Sequence, residues 1–197
     1  MIITEKSSLL IYDWDDTLFP TSWMHAMNIE IPENSKNHFK KVDIEIKALL
    51  ILSVSISRTV IVTNANKKWI QKCLIVLPLT KSIIEKYEIE IVSARDDYSE
   101  QYLDSIGMWK IKSFEDLFKK YKPNNIIAVG DAHYEINAVV NLYNKSNTQQ
   151  RFFKTLKCVT IPSYQDILDQ NKYLIKISKS LVNNKKNYDL LFKNTKR

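Results

Sequence analysis

Three aspartates fall within four consecutive positions, Asp13, Asp15 and Asp16, directly behind the apolar run Leu9–Tyr12. Like charges this close repel, which raises the pKa of one of them unless a cation holds it ionised. Two carboxylates in one crevice suit a division of labour, with an ionised nucleophile beside a group that gives and takes protons. The plainer alternative is a turn whose carboxylates cap backbone N–H groups and face solvent. What favours the first is company. Thr63 and Asn64 close a second apolar run, Thr59–Val62, and Asp131 closes a third, Ile126–Val129 with Gly130. In an open parallel sheet the carboxyl ends of the strands share one edge, where ligands bind, so polar residues from three strands converge there. Asp131 adds the further hard oxygen that a Mg²⁺ site takes.

The elements that place these residues follow from short apolar runs alternating with amphipathic stretches. Strands are expected at Ser8–Tyr12, Thr59–Val62, Ile89–Val92 and Ile126–Val129, each rich in Ile or Val and reading as buried on both faces, with a further edge strand over Phe152–Thr160. Helices are expected over Phe39–Ser53, Asn66–Leu77, Trp109–Tyr121, His133–Tyr143 and Ser163–Leu181, with Pro78 and Pro123 closing two of them. Such alternation predicts an α/β fold, a Rossmann-like three-layer sandwich with a mainly parallel central sheet. The chain has two glycines, Gly107 and Gly130, which excludes glycine-rich phosphate loops.

In LLIYDWDDTL, TVIVTN and GDAHYE the chain resembles the haloacid dehalogenase (HAD) superfamily of phosphohydrolases. The resemblance spans residues 8 to about 142 and implies a capless, phosphatase-like member, a hydrolase of phosphate monoesters. It implies Asp13 as nucleophile and Asp15 as acid/base, with Thr63 and the Asn64 N–H on the phosphoryl oxygens. It implies Mg²⁺ held by Asp13, the Asp15 carbonyl, Asp131 and Glu135, where the family more often has an aspartate. A phosphate-binding lysine is expected upstream of Asp131. Lys110 fits, at the expected start of a helix near the crevice; Lys112 is the fallback, although it falls toward solvent with Glu115 and Asp116. Asp16 is expected to be solvated rather than catalytic, His133 a surface or gating residue, and Ser93 and Arg95 plain loop residues with a possible substrate contact as the other reading.

The same resemblance divides the chain into a HAD-like catalytic domain over residues 1–170, with a short flap near 18–32, and a basic C-terminal helix or tail over 171–197. The intervals from Asp13 to Thr63 and from Thr63 to Lys110 leave no room for a large cap. In that superfamily an open site goes with a bulky or macromolecular substrate, such as a phosphoprotein or a nucleic-acid end, or with a partner that completes the lid, and the resemblance implies the same here. Two other readings are a catalytically weak Mg²⁺- and phosphate-binding module working with a partner, and a receiver-like domain phosphorylated by a kinase.

At 197 residues, 45% hydrophobic and 26% charged, the composition is that of a single globular domain. The N-terminal MIITEKSS lacks the order of a signal peptide and no apolar run is long enough to span a bilayer, so a soluble, cytoplasmic protein is expected, the nucleus left open. Cys73 and Cys158 lie in apolar patterns and read as core residues. The net charge of +7 falls entirely within residues 171–197, where eight lysines and arginines face only Asp189. That segment reads either as the solvated face of a last helix or as a handle for a polyanion.

Overall fold

A computed structural model describes residues 7–32, 37–146 and 151–193. It has six strands, β1 (Ser8–Tyr12), β2 (Arg58–Thr63), β3 (Glu90–Ser93), β4 (Asn125–Gly130), β5 (Phe152–Lys157) and β6 (Tyr188–Leu191). They form one sheet in the order β3-β2-β1-β4-β5-β6, and every pairing is parallel. The expected α/β three-layer sandwich is what the chain adopts. The helices are α1 (Thr21–Ala26), α2 (Lys40–Ile56), α3 (Lys67–Ile75), α4 (Pro78–Lys86), α5 (Ala94–Tyr98), α6 (Ile106–Tyr121), α7 (His133–Lys145) and α8 (Tyr164–Asn183). No helix among the described residues is long and apolar enough to cross a membrane. Between strands the described chain forms helices on the sheet and the short α1, with no inserted cap domain.

Strand side chains alternate between two faces, and the core divides accordingly. Leu10 and Tyr12 of β1 join the helices α2, α3, α4 and α8 in one cluster, while Leu9 and Ile11 join α5, α6 and α7 in the other. Local chemistry sets the helix ends. Asn66 accepts the Trp69 N–H at 2.8 Å to start α3, and Ser163 with Asp166 forms a capping box at α8. Pro78 does not close α3 as expected but opens α4, where a missing N–H costs nothing; buried Asp43 from α2 accepts the next two N–H groups, of Leu79 at 3.0 Å and Thr80 at 2.7 Å. Helix α6 begins at Ile106, three residues before the expected Trp109, so Lys110 sits in its second turn rather than its first.

The sheet order places β1 between β2 and β4, so the chain leaves β1 on one side and returns on the other. The crevice beyond β1 and β4 is thus the switch point where ligands bind in such sheets. The last crossover differs from the rest. Helix α8 packs on the same face as α2, yet β5 to β6 travels across the sheet opposite to β1 to β2. Its hand is therefore opposite to theirs, a rare arrangement for parallel strands.

Candidate active site

The turn after β1 is wound tightly. The Trp14 carbonyl accepts the N–H groups of Leu18 and Phe19, both at 2.9 Å, and Asp16 adopts φ 55°, a left-handed conformation that aspartate tolerates. Trp14 is fully buried and stacks on Phe19, which drives the apolar residues of DWDDTLF inward and leaves its carboxylates at the strand edge. The Asp13 N–H donates to the Val129 carbonyl at 2.9 Å, which continues the β1–β4 ladder into the crevice.

Asp13, 5% exposed, faces the Lys110 ammonium at 2.7 Å. Lys110 is 2% exposed and also bonds Glu135, so one buried cation bridges two buried carboxylates from different elements. Burial would lower the Lys110 pKa, but Asp13 and Glu135 outweigh it and hold the ammonium above the usual lysine range. Asp13 goes the other way: burial, with Glu135, Asp15 and Asp131 nearby, raises its carboxyl well above the usual range despite Lys110. Asp131 is pushed up to about 6 by burial, then by Glu135 and Asp16. Its backbone carbonyl is held by the Lys157 ammonium at 2.8 Å and the Thr160 hydroxyl at 3.1 Å.

Asp15 has different company. One oxygen accepts from the Thr21 hydroxyl at 2.6 Å and the Trp69 indole N–H at 2.8 Å, the other from the Thr63 hydroxyl at 3.2 Å. Thr63, at the end of β2, in turn accepts the Ala65 N–H at 2.9 Å. Asn64 is half-buried, and its side-chain oxygen has no hydrogen-bond partner among the described residues.

The remaining expected residues separate. Lys112 pairs with Glu115 at 3.0 Å on the side of α6 away from Asp13. Contrary to the expectation of a solvated side chain, Asp16 does not face solvent. It is buried, and it accepts from the Ser22 N–H at 2.8 Å and the Ser22 hydroxyl, because the tight turn folds it back onto α1. Ser93 is the N-cap of α5, accepting the Asp96 N–H at 3.0 Å, while Arg95 and His133 are exposed. Trp69, Thr21, Lys157 and Thr160 escape the sequence reading because their contacts depend on how α3, α1 and the end of β5 dock. For Gly130 a signal exists. A Cβ there would collide with the Glu135 carboxyl, so the glycine of GDAHYE leaves space for the side chain that reaches Lys110.

No family model, curated protein or solved structure matches the chain. The site is therefore judged on its own chemistry, and its oxygens suit Mg²⁺. Asp13 and Asp131 both have raised pKa values, first from burial and then from neighbouring carboxylates, and a cation would offset both. Among the described residues no three His, Cys, Asp or Glu side chains form a ready-made metal cluster. Mg²⁺ is commonly bound by one or two carboxylates together with waters and substrate phosphates. Asp13 and Asp131 would be those carboxylates. The Glu135 oxygen that does not touch Lys110 is buried without a hydrogen-bond partner among the described residues.

Proposed function

We propose that the chain is a Mg²⁺-dependent phosphomonoesterase that works through an aspartyl-phosphate. One observation supports this most: two carboxylates two residues apart, at the switch point of a parallel sheet, have unlike surroundings. Asp13 meets a buried ammonium, and Asp15 meets three neutral donors. In the proposed reaction an Asp13 oxygen attacks phosphorus in line, and the bond from phosphorus to the ester oxygen breaks. Asp15 gives that oxygen its proton, then takes one from a water whose oxygen attacks the aspartyl-phosphate, releasing phosphate and restoring Asp13. Thr63 and the Asn64 N–H would bind phosphoryl oxygens, and Lys110 fixes the Asp13 carboxylate. Mg²⁺, when bound, supplies neutralisation of charge between nucleophile and phosphate. With only α1 near the crevice in place of a cap, the substrate would be bulky or macromolecular, a phosphoprotein or nucleic-acid end.

The test is hydrolysis of a small aryl phosphate with Mg²⁺ and with EDTA, comparing wild type with Asp13→Asn and Asp15→Asn. Turnover that needs Mg²⁺ and falls to background in both variants is expected. One feature favours a second reading, a Mg²⁺- and phosphate-binding module with little turnover: both Asp15 oxygens are already engaged by donors. Calorimetry showing Mg²⁺ binding by an inert wild type would select that reading.

A further inference from the structure

The positive charge of the chain is not where its tail alone would put it. Helices α2, α3, α4 and α8, which cover one face of the sheet, carry eleven lysines and five carboxylates. Two of those carboxylates, Asp43 and Asp166, are buried in helix caps and add nothing to the outer surface. On the opposite face six basic residues meet five acidic ones on α5, α6 and α7.

Pairing sharpens the contrast. Each lysine of α6 and α7, namely Lys110, Lys112, Lys119, Lys120 and Lys145, lies within 3.3 Å of a carboxylate. Of the eleven on the other layer, among the described residues only Lys67, Lys81 and Lys172 have a carboxylate within reach, none closer than 3.8 Å. Lys40, Lys41, Lys47, Lys176 and Lys179 form no ion pair among the described residues. Such a concentration of uncompensated charge costs self-repulsion.

Helices α2 and α8 pack in one apolar cluster and lie side by side, with Lys172 approaching Glu45 at 3.9 Å. Lys172, Lys176 and Lys179 recur at helical spacing along the exposed side of α8. Beside them α2 exposes Ile44 and Ile51, 47% and 37% accessible and two turns apart, with Lys40, Lys41 and Lys47 around them. The two helices run in the same direction for about 25 and about 30 Å, making a broad face rather than a groove.

We propose that this α2–α8 face docks on an anionic phospholipid surface. Lysines near such a surface are each attracted to it, and protruding aliphatic side chains enter the headgroup boundary. A nucleic-acid backbone would use the lysines but has no place for Ile44 and Ile51, and α2 and α8 contain no arginine and only Tyr173 and Tyr164 as aromatics. The crevice lies at the carboxyl ends of the strands, at right angles to this helical layer, so docking leaves it open sideways. This does not depend on the proposed hydrolysis.

The experiment is co-sedimentation of the full chain with phosphatidylcholine vesicles, with and without phosphatidylserine, at low and raised salt. Wild type should sediment with the phosphatidylserine vesicles alone and be released by salt. The triple variant Lys172→Glu, Lys176→Glu, Lys179→Glu should lose at least about tenfold in affinity, and Ile44→Ser with Ile51→Ser should make the remaining binding more salt-sensitive. The control Lys119→Glu with Lys145→Glu, on the other face, should bind as wild type, circular dichroism confirming that all variants are folded. Absence of binding to phosphatidylserine vesicles, equal loss in the control, or tighter binding to duplex DNA or RNA than to vesicles would overturn the assignment.

Discussion

At the scale of single residues, the site is a set of carboxylates given unlike partners. Trp69 holds Asp15 through one indole N–H, and in the proposed reaction Asp15 becomes a carboxylate as it gives up its proton, the kind of acceptor for which such a bond is worth about 1.5–3 kcal/mol. Trp69→Phe keeps most of the ring packing against Phe19 and removes that donor, so kcat should fall roughly ten- to a hundredfold. KM should change little, a separation of kcat from KM that a purely structural role would not cause. Gly130→Ala forces a methyl group against Glu135. It should destabilise the protein by about 1–3 kcal/mol in urea unfolding, with Lys110 losing its second carboxylate. Asp13, Thr63, Asn64 and Asp131 could be picked out from sequence because each follows an apolar run. In sequence, Lys110 is preferred to Lys112 for a first-turn position near the crevice. It lies in the second turn, and its burial between Asp13 and Glu135 is a tertiary fact. Trp69 and Thr21 carry no local mark at all.

At the scale of elements, strand β5 carries a lysine in an unusual place. Lys154 is 1% exposed, and its ammonium donates at 2.6 Å both to Asn125 and to the carbonyl of Asn184, just beyond α8. Burial pushes its pKa from the ordinary 10.5 down to about 8. Between those values the unfolded chain holds more protons than the folded one, so this group makes stability rise with pH across that window. Urea midpoints measured from pH 8 to about pH 10 should therefore show a rising component in wild type that is missing in Lys154→Met. Strands β1, β2 and β4 were readable because continuous apolar runs mark strands buried on both faces. Strand β6 was not. YDLL lies in a lysine- and asparagine-rich stretch and is only half-buried at the sheet edge, so its pattern does not stand out from a solvated tail. Likewise Pro78 reads equally well as the end of one helix or the start of the next, and only the Asp43 cap from α2 decides.

At the scale of the whole molecule, metal binding and folding are linked. Asp13 and Asp131 come from strands on either side of the switch point and have raised pKa values in the folded chain. A cation that binds the folded form alone raises its stability with concentration. The thermal midpoint should climb as Mg²⁺ is added, and Asp13→Asn with Asp131→Asn should remove the climb; a midpoint indifferent to Mg²⁺ in wild type would exclude the proposed cation site. The position of β1 has a further consequence, for the growing polypeptide. Strand β1, one of the two central strands, is the first of the six to leave the ribosome, but its neighbour β4 begins at Asn125 and the helix completing its covering layer, α8, ends at Asn183. Long-range pairing of this kind is slow, because the intervening loop must close before the contact is rewarded. A nascent chain thus carries the acidic turn and an uncovered apolar strand until β4 and α8 have followed, and gains both halves of its crevice only then.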